Sequence, residues 1–180
     1  MLFSSQIFLL VFLPLVLGAY HAVGHDARAR LYVLLIASLV FYGWWDARFL
    51  PLLVLTGAVN FLVAGAYVRR PRPVLIACGI AFDLAVLGVF KYTNFVAGSV
   101  SALFGQPFTP WDIVLPLGVS FFSFQQISYL LDVRRGHARG YGVLEFANYV
   151  CFFPHLIAGP IIRHHELIPQ FAGLAARVPA

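Results

Sequence analysis

Of 180 residues, 61% are hydrophobic and 11% are charged, against about 25% charged in an ordinary soluble domain. A chain this short cannot hide so much apolar surface from water, which excludes a conventional soluble domain and leaves lipid as the surrounding medium. The formal net charge of +5 does not indicate nucleic acid, because the basic residues are gathered in short clusters between long uncharged runs, the pattern of membrane topology.

A helix needs about 20 apolar residues to cross a bilayer core of about 30 Å. Taken in chain order, the runs predict an all-α, polytopic protein of about six membrane elements: 3–20, 31–48, 49–68, 74–90, 113–131 and 144–162. The first has no basic region ahead of its apolar core and leads into further membrane sequence. It is therefore read as a retained helix rather than a cleaved signal peptide. The second ends on Tyr42, Trp44 and Trp45, an aromatic group suited to the headgroup layer. The fourth contains one acid, Asp83. Residues 92–111 are polar and interrupted, as expected of a short interfacial helix followed by a turn. The sixth is broken around Pro154, Gly159 and Pro160 and either crosses or turns back.

Arg28 and Arg30, then Arg69, Arg70 and Arg72, then Arg134, Arg135 and Arg139 follow the first, third and fifth elements. Alternate connections carry only Arg48, Lys91 and Arg163. The positive-inside rule places the arginine clusters in the cytoplasm and the amino terminus outside, in a multi-pass protein of the cell inner membrane.

Several polar groups lie at membrane depth. Asp83 is too far from Lys91 for an i,i+4 pair and is expected to face the protein interior. Asn60, Asn94, Ser120, Gln125 and Gln126 are read either as interhelical hydrogen-bonding groups or as part of a tunnel lining, with Asp83 and Arg163 in the same group. Gln125 and Gln126 are about 100° apart on a helix and are not expected to share one partner. Pro14, Pro51, Pro116 and Pro154 are candidates to kink their helices. Cys78 and Cys151 belong to no CxxC pair and are read as small buried hydrophobes.

The densest chemistry lies in Phe152–Glu166. His155 is first a structural histidine and second a weak catalytic candidate. His164, His165 and Glu166 have no HExxH or similar ligand spacing and are read as a hydrated interfacial cluster, so no metal site is predicted. No GxSxG elbow, phosphate loop or dinucleotide fingerprint is present, which argues against the corresponding hydrolase and nucleotide-binding classes.

The opening Met1 to Ser5, LVFYGWW at Leu39–Trp45, KYTNF at Lys91–Phe95, LPLGVSFFSFQQISYLLDVRRG at Leu115–Gly136 and FFPHLIAGPIIR at Phe152–Arg163 occur in an order that resembles the amino-terminal part of the membrane-bound O-acyltransferases. Within that family the chain is most similar to the bacterial alginate O-acetyltransferase branch. The resemblance implies a helical funnel through the membrane and transfer of an acetyl or similar small acyl group to hydroxyls of an envelope polysaccharide such as alginate. It also implies an acyl-donor cosubstrate on the cytoplasmic side, no bound cofactor, an extracytoplasmic acetylation partner and a remaining carboxyl-terminal half. The family's catalytic histidine lies in that second half, beyond residue 180, so no catalytic residue is assigned. The chain is accordingly expected to be a fragment, a truncated product or one part of a split protein. A noncatalytic scaffold or assembly subunit is the alternative; a transporter is weaker, since no internal repeat is evident.

Overall fold

The structure of the chain, a computed structural model, describes residues 5–138, 141–156 and 164–172. The elements among them are all helical. They are α1 (Leu13–Ala22), α2 (Ala27–Asp46), α3 (Leu50–Arg69), α4 (Pro73–Leu87), α5 (Thr93–Leu103), α6 (Val119–Arg134), α7 (Val143–Cys151), α8 (Phe153–Leu156) and α9 (His164–Ala172).

Helix starts follow local chemistry. Asp26 caps α2 by accepting hydrogen bonds from the amides of Arg28 at 2.9 Å and Ala29 at 3.3 Å, which satisfies two otherwise orphaned donors. Pro51 and Pro73 lie in the first turn of α3 and α4, where a missing amide costs little. A wide turn at Phe8–Phe12 runs directly into α1 and another at Gly88–Tyr92 joins α4 to α5. At the second, the Thr93 hydroxyl donates back to the Val89 carbonyl at 2.6 Å.

Two helical stretches are long and apolar enough to cross a membrane: Ala27–Arg69, of 43 residues, and Pro73–Leu103, of 31. At 1.5 Å per residue the first would be about 65 Å long if straight, twice the bilayer core. It is broken at Asp46, whose backbone is extended (φ −161°, ψ 108°), and at the tight turn Ala47–Phe49. In the most apolar window of each stretch only 22% is buried within the protein. Side chains such as Leu62 on α3 and Val74 on α4 point outward at 68% exposure, an apolar surface suited to lipid rather than water.

Inside, α4 packs on α6 and both pack on α3, while α2 packs on α7. Tyr42, Leu53, Ile76, Phe122, Tyr129, Leu130 and Tyr149 are fully buried. A second cluster joins Phe8, Phe12, Phe41 and Phe153, with ring centroids 5.4 to 6.2 Å apart. Gly79 is what lets α4 sit so close to α6: a Cβ there would meet Leu130 Cδ1 at 2.6 Å and Val63 Cγ1 at 3.1 Å.

Several sequence expectations shift. Pro51 sits in the first turn after the break at Asp46 and Pro116 precedes α6, so neither interrupts a running α-helix, whereas Pro14 lies within the helical run Phe8–Ala22, just after the wide turn Phe8–Phe12. The predicted element 113–131 begins as an α-helix only at Val119, because Pro116 and a left-handed Gly118 (φ +70°) precede it. Residues 74–90 and the short helix expected in 92–111 form one helical run to Leu103, which ends in a turn at Phe104–Gly105. Element 144–162 is two short helices, Val143–Cys151 and Phe153–Leu156, parted at Phe152; its end, with Gly159 and Pro160, lies outside the described residues. Cys151 is buried as expected, but Cys78 is exposed on the outer face of α4.

Candidate functional site

The chemistry gathers around α6, whose two adjacent glutamines leave it in different directions. Gln126 turns toward α3 and α4. Its Oε1 accepts from the Asn60 amide at 2.9 Å, and its Nε2 donates to the Thr56 hydroxyl at 3.2 Å. The same Asn60 Nδ2 donates to Asp83 Oδ1 at 2.8 Å and to the Thr56 carbonyl at 3.0 Å. Three acceptors around a two-hydrogen amide require sharing. Asp83 and Asn60 are one turn into the bundle from the Gly79 approach and are fully buried. Asp83 Oδ2 and Asn60 Oδ1 have no hydrogen-bond partner among the described residues, nor does a cation pair with Asp83 there. The arrangement ties three helices together through side chains.

Gln125 faces the other way. Its Nε2 donates to the Tyr149 carbonyl at 2.9 Å, at the end of α7, and lies 3.0 Å from His155 Nε2 on α8. With the amide donating, this imidazole nitrogen is an acceptor already in use. His155 is 4% exposed, and its ring is flanked by Phe121 and Phe152. The segment carrying it is held at both ends. Phe153 enters the aromatic cluster and donates its amide to the Ser38 hydroxyl at 3.2 Å. The Leu156 carbonyl lies 2.5 Å from where a Cβ on Gly118 would be. Gly118 thus meets two demands, a positive φ and a backbone with no side chain at the contact. Just before it, the Leu117 carbonyl accepts from the Tyr42 hydroxyl at 3.1 Å.

At the far end of α6, Asp132 Oδ2 lies 3.3 Å from His164 Nε2. His164 Nδ1 is 2.8 Å from the Tyr141 hydroxyl. His164 is 1% exposed, so it is not part of a hydrated cluster, whereas His165 beside it is half exposed. Asp132, His164 and His165 each offer one ligand atom within 4.8 Å of the others. Burial pushes the Tyr141 phenol above its ordinary range, with the charge of Asp132 adding to the shift.

Of the other sequence candidates, half-buried Asn94 clamps the Trp111 backbone, donating to its carbonyl at 2.8 Å and accepting from its amide at 3.0 Å. Ser120 is half-buried in the first turn of α6. Arg163 lies outside the described residues. A cavity of about 430 Å³ between α2, α3 and α7, lined by residues such as Leu53, Phe61, Phe146 and Cys151, is apolar and takes in none of the polar candidates. Sequence reading missed Thr56, Gly118 and the Asp132–His164 approach. The signal for the last was Asp132 itself, an acid directly ending an apolar run.

The two most distinctive sequence blocks, Leu115–Gly136 and Phe152–Arg163, therefore meet at Gly118–Leu156 and Gln125–His155. The probable alginate O-acetylase AlgI of Pseudomonas aeruginosa is 44% identical over 182 residues, covering 95% of this chain and 34% of that protein. The chain is homologous over 95% of its length to probable alginate O-acetylases of bacteria. Another probable alginate O-acetylase, from Azotobacter vinelandii, is 43% identical over 95% of the chain and 36% of its own length. The peptidoglycan O-acetyltransferase of Helicobacter pylori is 32% identical over 95% of the chain and 38% of its own length. The chain spans about a third of the length of these curated relatives of the O-acyltransferase family. No family model matches it, and no solved structure does.

Proposed function

We propose that the chain supplies the amino-terminal membrane portion of an O-acyltransferase that transfers an acetyl or similar small acyl group to hydroxyls of an envelope polysaccharide such as alginate. The observation that carries this is the homology across 95% of the chain to alginate O-acetylases, whose distinctive blocks in this chain pack on one another. The donor is an acyl-bearing cosubstrate reaching the protein from the cytoplasm, and the base is a histidine of the carboxyl-terminal portion. That portion and an extracytoplasmic acetylation component are the partners.

Within this reading the chain has about six membrane elements, the last crossing or turning back, with the arginine clusters inside and the amino terminus outside. Internal contacts support a common end for the first and third of these clusters: Asn148 on α7 donates to the Leu31 carbonyl near Arg28 and Arg30 at 3.1 Å, and α9, which touches both α2 and α7, brings His164 to Asp132 beside Arg134 and Arg135. His155, with its Nε2 engaged by Gln125, acts as a positioning group rather than the base. Asp83, Gln125 and Gln126, each at most 1% exposed, hold helices together rather than line a tunnel.

The test is a chimera in which this chain replaces the matched segment of the Pseudomonas aeruginosa relative, in a strain lacking that relative's gene, with ester-linked acetyl on alginate measured by NMR. Acetylated polymer is expected. A stable, inserted chimera that leaves the polymer unacetylated overturns the reading and favours a noncatalytic scaffold. The extensive engagement of the polar candidates in helix–helix contacts is what keeps that second reading in play. Acetylation by the chain alone, lost in His155→Ala, would instead move the reaction centre into these residues.

A further inference from the structure

We infer that Asp132, His164 and His165 form a binding site for a divalent transition-metal ion of the zinc class. The inference stands apart from the acyl-transfer reading, which uses none of the three. Two neutral imidazoles and one carboxylate make a donor set that suits such an ion, which typically takes three protein ligands and keeps a fourth position for water or substrate.

The geometry fits the ion's size. With metal–ligand bonds of about 2.0–2.1 Å in a tetrahedral arrangement, neighbouring ligand atoms lie about 3.3–3.4 Å apart. Asp132 Oδ2 and His164 Nε2 are separated by 3.3 Å. The third ligand atom is within 4.8 Å of both and sits on the exposed His165, whose side chain can swing the remaining distance without disturbing packing. The two fixed ligands are buried and the movable one faces outward, which gives the ion a route in.

The surroundings are also those of a ligand set. Metal-binding histidines commonly use their second nitrogen in a hydrogen bond that fixes ring orientation, and His164 Nδ1 has the Tyr141 hydroxyl at 2.8 Å. With a metal on Nε2, the Nδ1 proton donates to that oxygen. Tyr129 and Tyr141 place their rings beside the imidazole at centroid distances of 5.6 Å. Arg135 lies 3.9 Å from the other carboxylate oxygen, Oδ1, leaving Oδ2 to the ion. Glu166, 3.9 Å from His165 Nε2, adds negative charge on the open side and offsets the arginine. The local spacing His164–His165 could not announce this site, because the ligand that completes it comes from another helix.

The untagged chain in detergent micelles, stripped with a chelator, is titrated with Co²⁺ and followed by its visible absorption, then challenged with Zn²⁺. One ion per chain, with the intense bands of a tetrahedral site and displacement by Zn²⁺, is expected. His165→Ala, exposed and harmless to folding, is expected to weaken binding by more than ~10-fold with unchanged helical circular dichroism. Tyr141→Phe is expected to weaken it about 10-fold, and Asp132→Asn to abolish the tetrahedral spectrum. Absence of saturable binding, or binding undiminished in His165→Ala, overturns the proposal and leaves Asp132, His164 and Tyr141 as a buried structural contact.

Discussion

The two sides of α6 solve the problem of polar groups buried in an apolar helical bundle in different ways. Toward α3 and α4, long regular helices meet and side chains bond side chains: Asn60 reaches Asp83 and Gln126. Toward α7 and α8 the backbone itself is broken at Phe152, and the side chain of Gln125 reaches both the Tyr149 carbonyl and an imidazole. Regular helices keep their own backbone satisfied and need polar side chains only to hold one another, whereas an interrupted chain buried among apolar side chains must have its carbonyls met by neighbours. The first side reads as a fastening and the second as a fitted support for irregular chain.

The largest effect that would break this comparison is expected at Gly118. Gly118→Val forces a β-branched residue into a left-handed conformation that costs about 1–2 kcal/mol for an ordinary L-residue and drives its side chain onto the Leu156 carbonyl. Thermal unfolding in detergent is expected to show the greatest loss of any single change considered, with His155 exposed to chemical modification. A variant that melts like the parent would mean that the α6–α8 contact supports nothing.

A smaller loss is expected on the opposite side. Asn60→Ala leaves Asp83 Oδ1 and Gln126 Oε1 without their donor, at about 1–3 kcal/mol for a buried polar group left unpaired. Pairing it with Asp83→Ala should recover part of that loss in a double-mutant cycle. Strict additivity of the two would show that the fastening is not a unit. The smallest effect belongs to Cys78→Ala, which touches only the outer face of α4 and is expected to stay within about 0.5 kcal/mol of the parent.

Much of the helical layout was legible because charge marks it. The run 49–68 lies between Arg48 and Arg69, and α3 occupies Leu50–Arg69. The start of α6 was not legible from hydropathy, since residues 113–118 are as apolar as a helix and the turn rests on Pro116 and the left-handed Gly118. The continuity of α4 with α5 was hidden by Thr93 and Asn94. Their polarity is absorbed nearby, by the Val89 carbonyl and the Trp111 backbone. Asp83 has no partner within reach along its own helix, and an interior-facing acid does not name its partner, which is Asn60 on α3. The same limit hid Asp132 and His164, whose pairing depends on where α9 returns to the bundle.

The adjacent glutamines have a mechanical consequence. Because Gln125 and Gln126 are held by different neighbours about a hundred degrees apart, α6 is keyed twice on its circumference. Turning it about its long axis in either direction breaks bonds on both sides at once. Any working motion of this part of the protein must carry α6 as a fixed shaft and take its displacement from the short helices that lean on it.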